Sequence, residues 1–437
     1  MKLTVQKLGI NGEGIAYLDS KPVFIDGALP TEVVDITLTS KTMTYTKAKI
    51  NKIIKKSNDR VEPQCPYQKD CGGCSLMHMN EKAQSYYKRQ LLVEALWKYG
   101  HVRENLVRDM HESKHALEYR SACKLPVQEK NGKLVTGMYK PNSNIFVEIK
   151  SCKAHTKEVE FLRTSILDVL NKYHLTAYNP KTRKGIRYLV IRSIQNHGGC
   201  TLVTGTNTFS EELINDLMKI EGLETISQSI NTNKKSTAIF GKETRVLVGN
   251  PYITIRIDDI ELQLSSESFF QLNVGQAIAL YHLAVDKIDP CDLLVEGYCG
   301  VGAMSLLAHK KAKSIIGIES IPQAIINANE NAKKNHFDEH IRFICDDAGK
   351  GYKKISQNHT VDTLLVDPPR SGIDDAFLET ILQNPPKKLI YISCNPSTLG
   401  KNLKVLKQYY QVRTVIPFDL FPNTPHVEAI VSLQREI

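Results

Sequence analysis

The sequence predicts an α/β protein of several domains, with a small β-barrel first, a central α+β domain next and a doubly wound parallel sheet last. The chain has 437 residues, which is too long for one ordinary domain. Its first 57 residues contain short alternating runs separated by Gly, Pro and Asp, a pattern typical of small barrels. From about residue 265, apolar runs alternate with helical sequence, as in parallel sheets covered by helices.

These patterns divide the chain into three predicted domains. The barrel occupies residues 1–57, and the central α+β domain occupies residues 58–264. The doubly wound, Rossmann-like domain occupies residues 265–437. Ligands of such sheets bind beyond the carboxyl ends of the strands, so functional residues are expected there.

Composition indicates a globular protein with a sizeable core, since 41% of residues are hydrophobic and 24% are charged. No apolar run approaches the roughly 20 residues of a membrane span. The first residues do not resemble a signal peptide, so a cytoplasmic protein is expected. A net charge of +10 favours a polyanionic partner, although charge alone does not identify nucleic acid.

The segment KTRKGIRYLVIRS concentrates positive charge on a predicted turn and strand. It contains Lys181, Arg183, Lys184, Arg187 and Arg192. These side chains predict a surface that contacts phosphates, with an ordinary solvated strand edge as the alternative.

A cysteine cluster lies between the barrel and the next predicted helix. Cys65, Cys71 and Cys74 form a C-x5-C-x2-C pattern, and Cys152 is a candidate fourth ligand. Four thiolates suit an iron–sulfur cluster, and they also suit zinc. Iron–sulfur, zinc and unligated cysteines therefore all remain open on spacing alone.

A glycine-rich turn, Glu296-Gly-Tyr-Cys-Gly-Val-Gly302, follows one predicted strand and opens a helix. Glycines there allow close approach of an adenosyl ligand. Glu319 ends the next strand, where a carboxylate can accept hydrogen bonds from ribose hydroxyls. A structural turn with a surface glutamate is the alternative. A dinucleotide site is disfavoured because Ser305 replaces the last glycine of its fingerprint.

Two later strands end in reactive or rigid sequences, Asp367-Pro-Pro-Arg370 and Ser393-Cys394-Asn-Pro, and Glu428 lies near the end of the chain. Methylating C5 of a pyrimidine needs a thiolate that adds to C6 and a base that later removes the C5 proton. Cys394 is the predicted nucleophile and Glu428 the predicted base. A buried structural cysteine is the alternative for Cys394.

Together these motifs resemble the RNA uridine-5 methyltransferase family, in particular its bacterial 23S rRNA branch with a TRAM barrel and an iron–sulfur cluster. The resemblance implies an S-adenosylmethionine-dependent methyltransferase domain and 23S rRNA as partner, without a membrane partner, in an enzyme expected to be a monomer. It implies that a [4Fe-4S] cluster is held by Cys65, Cys71, Cys74 and Cys152. It implies cofactor contacts from Gln271 (in Ser-Phe-Phe-Gln-Leu-Asn), Tyr298, Glu319 and Asp367, with Cys394 and Glu428 as nucleophile and base.

The resemblance also implies that the helix within about residues 77–108 packs on the methyltransferase domain. The family's Gly-Asp-Ala appears here as Asp346-Asp347-Ala348, which leaves open which aspartate faces the cofactor. Parts of the sequence leave three other functions open. They are the same chemistry on tRNA, an amino-group methyltransferase, and a non-catalytic RNA-binding iron–sulfur protein that senses oxidation.

Overall fold

A computed structural model describes residues 1–233 and 238–436. The chain forms two compact units, and each draws on separate stretches of sequence. The first unit comprises Met1–Ala116, Asp286–Asp289 and Tyr352–Ile437. The second comprises Leu117–Val285 and Pro290–Gly351.

The amino-terminal part of the first unit is a closed β-sheet around a small apolar core. Its strands are β1 (Lys2–Thr4), β2 (Lys7–Leu8), β3 (Gly14–Leu18), β4 (Lys21–Ile25), β5 (Val33–Lys41) and β6 (Thr46–Lys55). They are ordered β1-β5-β6-β4-β3-β2. Because β1 and β2 are consecutive in the chain yet lie at opposite ends of this order, the sheet closes on itself. The predicted barrel is confirmed.

An ion pair fastens the end of the barrel. The buried Glu32 carboxylate accepts hydrogen bonds from Arg60 Nε at 2.5 Å and from the backbone N–H of Leu29 at 2.9 Å. Burial alone would raise the pKa of Glu32, but these bonds and the charge of Arg60 hold it below its ordinary value. The preceding Thr31 has φ of +71°, at the middle position of the Pro-Thr-Glu sequence.

Two helices follow the barrel in the first unit, namely α1 (Gln68–Cys71) and α2 (Glu81–Gly100), with a 3₁₀ turn at Glu104–Leu106. Asn80 caps α2 by accepting a hydrogen bond from Ala83 N. An apolar cluster contains Leu8 and Leu29 of the barrel together with Leu76, Met79 and Ala83. The barrel and the beginning of α2 therefore share one core.

The second unit begins with a seven-stranded sheet in the order β13-β12-β11-β10-β7-β8-β9. Its strands are β7 (Ala122–Lys130), β8 (Lys133–Tyr139), β9 (Phe146–Glu148), β10 (Ile186–Ile194), β11 (His197–Thr204), β12 (Leu223–Ile230) and β13 (Glu243–Gly249). Helices α3 (Lys157–Lys172) and α4 (Glu211–Met218) cover it. Leu162, Ile166 and Leu170 of α3 pack into the core against β10, as their helical spacing predicts.

A hairpin of β14 (Tyr252–Ile257) and β15 (Ile260–Ser265) leads into helix α5 (Val274–Asp286). Next come β16 (Cys291–Gly297), α6 (Ala303–Leu307), β17 (Ala312–Glu319), α7 (Pro322–Lys334), β18 (Ile341–Cys345) and α8 (Ala348–Asn358). Strands β16, β17 and β18 pair in parallel. This confirms the β-α alternation read from the sequence.

The carboxy-terminal part of the first unit consists of β19 (Thr363–Val366), α9 (Asp375–Gln383), β20 (Lys388–Ser393), α10 (Pro396–Leu406), β21 (Tyr410–Phe418) and β22 (Glu428–Arg435). Strands β19 and β20 are parallel, whereas β22 runs antiparallel to both β20 and β21.

Helices α2 and α10 cross closely within the first unit. A side-chain carbon added at Gly100 would lie 2.8 Å from the Gly400 carbonyl oxygen. Both positions therefore require glycine for this approach. Within the described residues, no helix is both long and apolar enough to cross a membrane.

Candidate active site

Cys394 and Glu428 are placed side by side by the register of two strands in the first unit. Strand β20 pairs antiparallel with β22, and Ser393 lies opposite Ala429. Cys394 follows Ser393 on β20, and Glu428 precedes Ala429 on β22. Cys394 and Glu428 are therefore the next residues beyond that pair on the two strands. Cys394 is half-buried, whereas Glu428 is only 5% exposed.

The loop carrying Asp367 is tied to the loop carrying Cys394. The Arg370 carbonyl oxygen accepts hydrogen bonds from Asn395 Nδ2 at 2.9 Å and from Thr398 Oγ1 at 3.2 Å. Asn395 also caps α10 through its side-chain oxygen. Since β19 and β20 are parallel neighbours, Asp367 and Cys394 both follow strand ends on the same edge.

Burial opposes the ionisation of three side chains around this site, namely Asp367, Glu428 and Cys394. Burial raises the pKa of Asp367 to about 7. Burial, reinforced by the charge of Asp367, raises the pKa of Glu428 to about 8, and Arg370 partly offsets that rise. For the Cys394 thiol, burial and then the charges of Glu428 and Asp367 raise the pKa to about 12, again against Arg370.

These pKa values suit a cysteine that stays protonated in the resting protein and a carboxylate that binds a proton readily. The RNA-free protein holds Cys394 as a thiol at neutral pH, so its ionisation has to be coupled to a change in the site. A carboxylate whose pKa lies near neutrality can accept and return protons efficiently. Sequence reasoning had assigned no role to Arg370, although its position directly after Asp-Pro-Pro was a visible signal.

A cavity of about 170 Å³ adjoins Cys394 within the first unit. One wall comprises Arg370, Asn395 and His426, and another comprises Ile10 and Asn11 of the barrel. Nη2 of Arg370 lies 3.4 Å from Nδ1 of His426. The barrel therefore contributes directly to the surface around the candidate nucleophile.

In the second unit, the glycine-rich turn after β16 is tightly constrained. Tyr298 has φ of +64°, an unusual conformation for a non-glycine residue that is often found at functional sites. A side-chain carbon at Gly302 would lie 2.5 Å from the Phe343 ring, so a larger residue cannot replace this glycine without displacement. The half-buried Tyr298 is thereby fixed at the end of its strand.

Two glutamates organise this turn. Glu319 accepts hydrogen bonds from Gly300 N at 3.3 Å and from Ile321 N at 3.0 Å. Glu296 is 1% exposed and accepts a hydrogen bond from the Ser305 hydroxyl. The helix after the turn, α6, has five residues, which is shorter than expected. Ser305 was noted in the sequence only as a missing glycine, but the structure shows it satisfying a buried carboxylate.

Gln271 lies half-buried in the irregular segment between β15 and α5 of the second unit. The two candidate aspartates after β18 differ in their bonds. Asp347 Oδ1 accepts a hydrogen bond from Lys350 N, whereas Asp346 N donates to the Glu319 carbonyl oxygen at 3.1 Å. Asp347 is thus used at the start of α8, and Asp346 lies beside the end of β17.

The basic segment at residues 181–192 divides into two parts. Lys181, Arg183 and Lys184 are exposed on a turn, as expected of a phosphate-contacting surface. Arg192 is instead half-buried and donates hydrogen bonds to the carbonyl oxygens of Ser265 and Ser268. Its predicted place on that surface is wrong, because a strand's alternate residues face opposite sides.

The four predicted cluster ligands belong to different units. Cys65, Cys71 and Cys74 lie in the first unit, and Cys152 lies in the second. Burial opposes ionisation of Cys152, but hydrogen bonding with His155 holds its thiol pKa below the ordinary value. Throughout residues 1–233 and 238–436, no three His, Cys, Asp or Glu side chains are grouped as metal ligands.

The fold and strand-end residues define a class of enzyme. A crystal structure of Pyrococcus abyssi tRNA (uracil-54, C5)-methyltransferase with S-adenosyl-L-homocysteine is similar to this chain, with a TM-score of 0.80 and 23% identity. The match covers 99% of this chain and 100% of that one. The fold is thus that of S-adenosylmethionine-dependent methyltransferases.

The chain belongs to the tRNA (uracil-5-)-methyltransferase family, whose profile matches residues 102–436, and residues 1–50 match the TRAM domain. Uncharacterized RNA methyltransferases of Bacillus cereus and Streptococcus agalactiae are 36% and 35% identical to it. Each match covers 99% of this chain and, respectively, 96% and 98% of the relative. The protein is an S-adenosylmethionine-dependent RNA methyltransferase.

Proposed function

We propose that this enzyme methylates C5 of a uridine in 23S rRNA through a covalent bond between Cys394 and C6 of the ring. The strand register that brings Cys394 next to Glu428 is the observation that carries the proposal. The target base has to leave its stack, because C6 is not accessible inside a helix. The cavity adjoining Cys394 supports such a position for the base.

The protein's residues act in order. Cys394 passes its proton to Asp367, which leaves Glu428 available for the last step, and its sulfur bonds to C6. The electrons of the C5–C6 double bond form a C4–C5 double bond and move charge onto the C4 oxygen, which makes C5 nucleophilic. S-Adenosylmethionine supplies the methyl group that C5 takes and leaves as S-adenosylhomocysteine. Glu428 then removes the remaining C5 proton, the double bond re-forms, and the C6–S bond breaks to release Cys394.

The cofactor is proposed to bind beyond the strand ends of the methyltransferase fold, in contact with Gln271, Tyr298, Glu319 and Asp367. The donors on Glu319 and the constrained Tyr298 support fixed positions for both. Both aspartates after β18 are candidate contacts, since the Asp346 carboxylate accepts a hydrogen bond from Asp347 N and the Asp347 carboxylate accepts one from Lys350 N. Site-by-site binding measurements with S-adenosylhomocysteine test this set, and an unchanged dissociation constant for Gln271→Ala would refute the role of Gln271.

Trapping the adduct tests the covalent scheme. Glu428→Gln should allow sulfur addition and methyl transfer but block the final proton removal. A protein–RNA species that survives a denaturing gel is therefore expected. Cys394→Ala combined with Glu428→Gln is the matched control and should give no such species. An adduct of equal amount in the double variant would overturn Cys394 as the nucleophile.

The RNA class is tested separately. The TRAM barrel, together with the family resemblance, supports 23S rRNA. The archaeal tRNA enzyme whose fold matches the whole chain favours tRNA as a second candidate. We expect 5-methyluridine to disappear from 23S rRNA of a deletion strain, and Glu428→Gln to trap unmodified 23S fragments. Loss confined to tRNA would select the second candidate.

We also propose a [4Fe-4S] cluster held by Cys65, Cys71, Cys74 and Cys152, on the basis of cysteine spacing and family resemblance. Among the described residues, no group of three His, Cys, Asp or Glu side chains forms a ready ligand set. Protein purified without oxygen should contain iron and sulfide in equal amounts, and Cys71→Ser should lose both. Stoichiometric zinc without iron would contradict the proposal.

The domain organisation is likewise proposed as 1–57, 58–264 and 265–437, with residues 77–108 packed on the methyltransferase domain. The close crossing of α2 and α10 at Gly100 and Gly400 supports that packing. We propose a monomer, which light scattering of the purified enzyme tests. A dimer mass that persists on dilution would refute it.

A further inference from the structure

The segment that carries Gln271 has no regular structure of its own. It leaves β15 at Ser265, turns through a hydrogen bond from Ser268 N to Ser265 O at 3.1 Å, and enters α5 at Asn273. Asn273 accepts hydrogen bonds from the first turn of that helix. Irregular backbone is held in one conformation only if its polar groups find partners elsewhere.

Arg192 supplies two of those partners. It comes from β10 of the seven-stranded sheet, and its Nη1 donates to Ser265 O at 3.2 Å. Its Nη2 donates to Ser268 O at 2.5 Å. Burial lowers the pKa of Arg192 to about 10, which leaves it charged at neutral pH. A single guanidinium thus joins both ends of the turn before Gln271, in a planar geometry that lysine cannot reproduce.

Two other side chains complete the support. Ser121 donates from its backbone N at 2.8 Å and from its hydroxyl at 3.0 Å to the carbonyl of Leu272, directly after Gln271. Asn327 of α7 is fully buried and donates to the hydroxyls of Ser268 and Ser265 at 2.7 and 3.1 Å. The segment is therefore bound on both sides of Gln271.

Helix α7 connects this support to the ribose candidate. Its N-cap residue, Ile321, donates its backbone N–H to Glu319. The same helix thus bonds to Glu319 at its start and, through Asn327, to the turn that Arg192 holds. Movement of the turn would be transmitted to two of the proposed cofactor contacts.

We propose that Arg192 is a positioning residue for S-adenosylmethionine, which sets the place of Gln271 by fixing the Ser265–Ser268 turn from the central sheet. This inference rests on the proposed cofactor role of Gln271. Arg192 touches neither cofactor nor RNA in this scheme. Its effect is expected on the affinity for S-adenosylmethionine and much less on kcat at saturating cofactor.

Calorimetric binding of S-adenosylhomocysteine to Arg192→Lys tests the proposal. The dissociation constant and the KM for S-adenosylmethionine should both rise by about tenfold, which corresponds to about 1.4 kcal/mol. Arg245→Lys is the control, since Arg245 is an exposed arginine of the same sheet whose guanidinium bonds twice to Gln228. It should leave the affinity within about twofold. An equally small change for Arg192→Lys would overturn the proposal.

A double-mutant cycle separates this inference from the function on which it rests. If Arg192 acts through Gln271, then Arg192→Lys should weaken binding far less in a Gln271→Ala background than in the wild type. Full additivity would show that Arg192 does not act through Gln271. If Gln271→Ala alone leaves binding unchanged, the proposed cofactor role of Gln271 fails instead. Should Arg192→Lys prove unstable, Ser121→Ala removes one bond to Leu272 and should weaken binding in the same direction.

Discussion

Buried carboxylates at strand ends are treated in opposite ways in the two units. In the first, Glu428 lies beside Asp367, and burial with like charge raises the pKa of Glu428 to about 8. In the second, Glu296 is equally buried but accepts a hydrogen bond from Ser305. One environment makes a carboxylate hold its proton more tightly, and the other uses a carboxylate to hold a turn in place. A glutamate whose charged form is opposed by burial is suited to proton transfer. A glutamate whose carboxylate is hydrogen-bonded is suited to holding the backbone in one conformation.

The largest effect is expected for the nucleophile. Cys394→Ala removes the proposed nucleophile, so kcat should fall by more than about 10⁴-fold, as when other covalent nucleophiles are removed. Affinity for RNA should change little. Cys345→Ala, at an exposed thiol, is the control and should keep full activity in a tritium-release assay. If Cys394→Ala still formed 5-methyluridine near the wild-type rate, the side chains around Cys394 would have no reactive role. The contrast between the two units would then fail.

A large loss of stability is expected when a buried ion pair of the first unit is broken. Lys88 of α2 is fully buried, and its Nζ lies 2.7 Å from Asp419 Oδ1. Lys88→Met leaves the Asp419 carboxylate without its lysine partner, and the free energy of unfolding should fall by about 3–5 kcal/mol. Urea denaturation measures it. The exposed Lys82 on the same helix provides the control variant, Lys82→Met, and equal losses for both would refute the reasoning.

Glu428→Gln should stabilise the protein, and increasingly so at higher pH. The pKa of Glu428 is raised from 4.5 to about 8, so the folded state binds more protons than the unfolded state between these values. Stability of the wild type therefore falls as pH rises through that window. Glutamine carries no charge to bury, and its advantage should approach about 4 kcal/mol near pH 8.

Melting temperatures at pH 5 and pH 8 measure this difference. The exposed Glu379 gives a control, Glu379→Gln, that should show no such pH dependence. If Glu428→Gln were less stable than the wild type at pH 8, the glutamate would be satisfied in the manner of Glu296. The contrast between the two units would then disappear.

The smallest effect is expected in the second unit and has the opposite sign. Ser305→Ala leaves the buried Glu296 carboxylate without its hydroxyl partner, so the free energy of unfolding should fall by about 1–3 kcal/mol. Ser320→Ala removes the exposed hydroxyl bond to Glu319 and should cost less than about 0.5 kcal/mol. A loss for Ser320→Ala as large as that for Ser305→Ala would mean that burial does not decide the cost.

Much of the site could be predicted because strand ends are visible in sequence. The apolar runs before Asp367 and Cys394 marked two neighbouring strands, and parallel pairing then required both residues to share an edge. Glu428 could be named as the candidate base before the family resemblance, but its register beside Cys394 could not be predicted, because its strand returns antiparallel and nothing local marks that pairing.

Contacts between distant stretches of chain could not be predicted. Arg192 precedes its partner Ser265 by 73 residues and looked like one more surface cation in a basic segment. Lys88 carries no sequence signal of its burial, although α2 buries it completely. The discontinuity of both units was hidden for the same reason, since sequence patterns report local periodicity and not which elements pack together.

The core shared by the barrel and α2 holds the TRAM domain in one position against that helix. Leu8 and Leu29 are buried together with Leu76 and Met79, so swinging the barrel away would expose this apolar surface to water. Ile10 and Asn11 of the barrel are thereby held beside the cavity that adjoins Cys394.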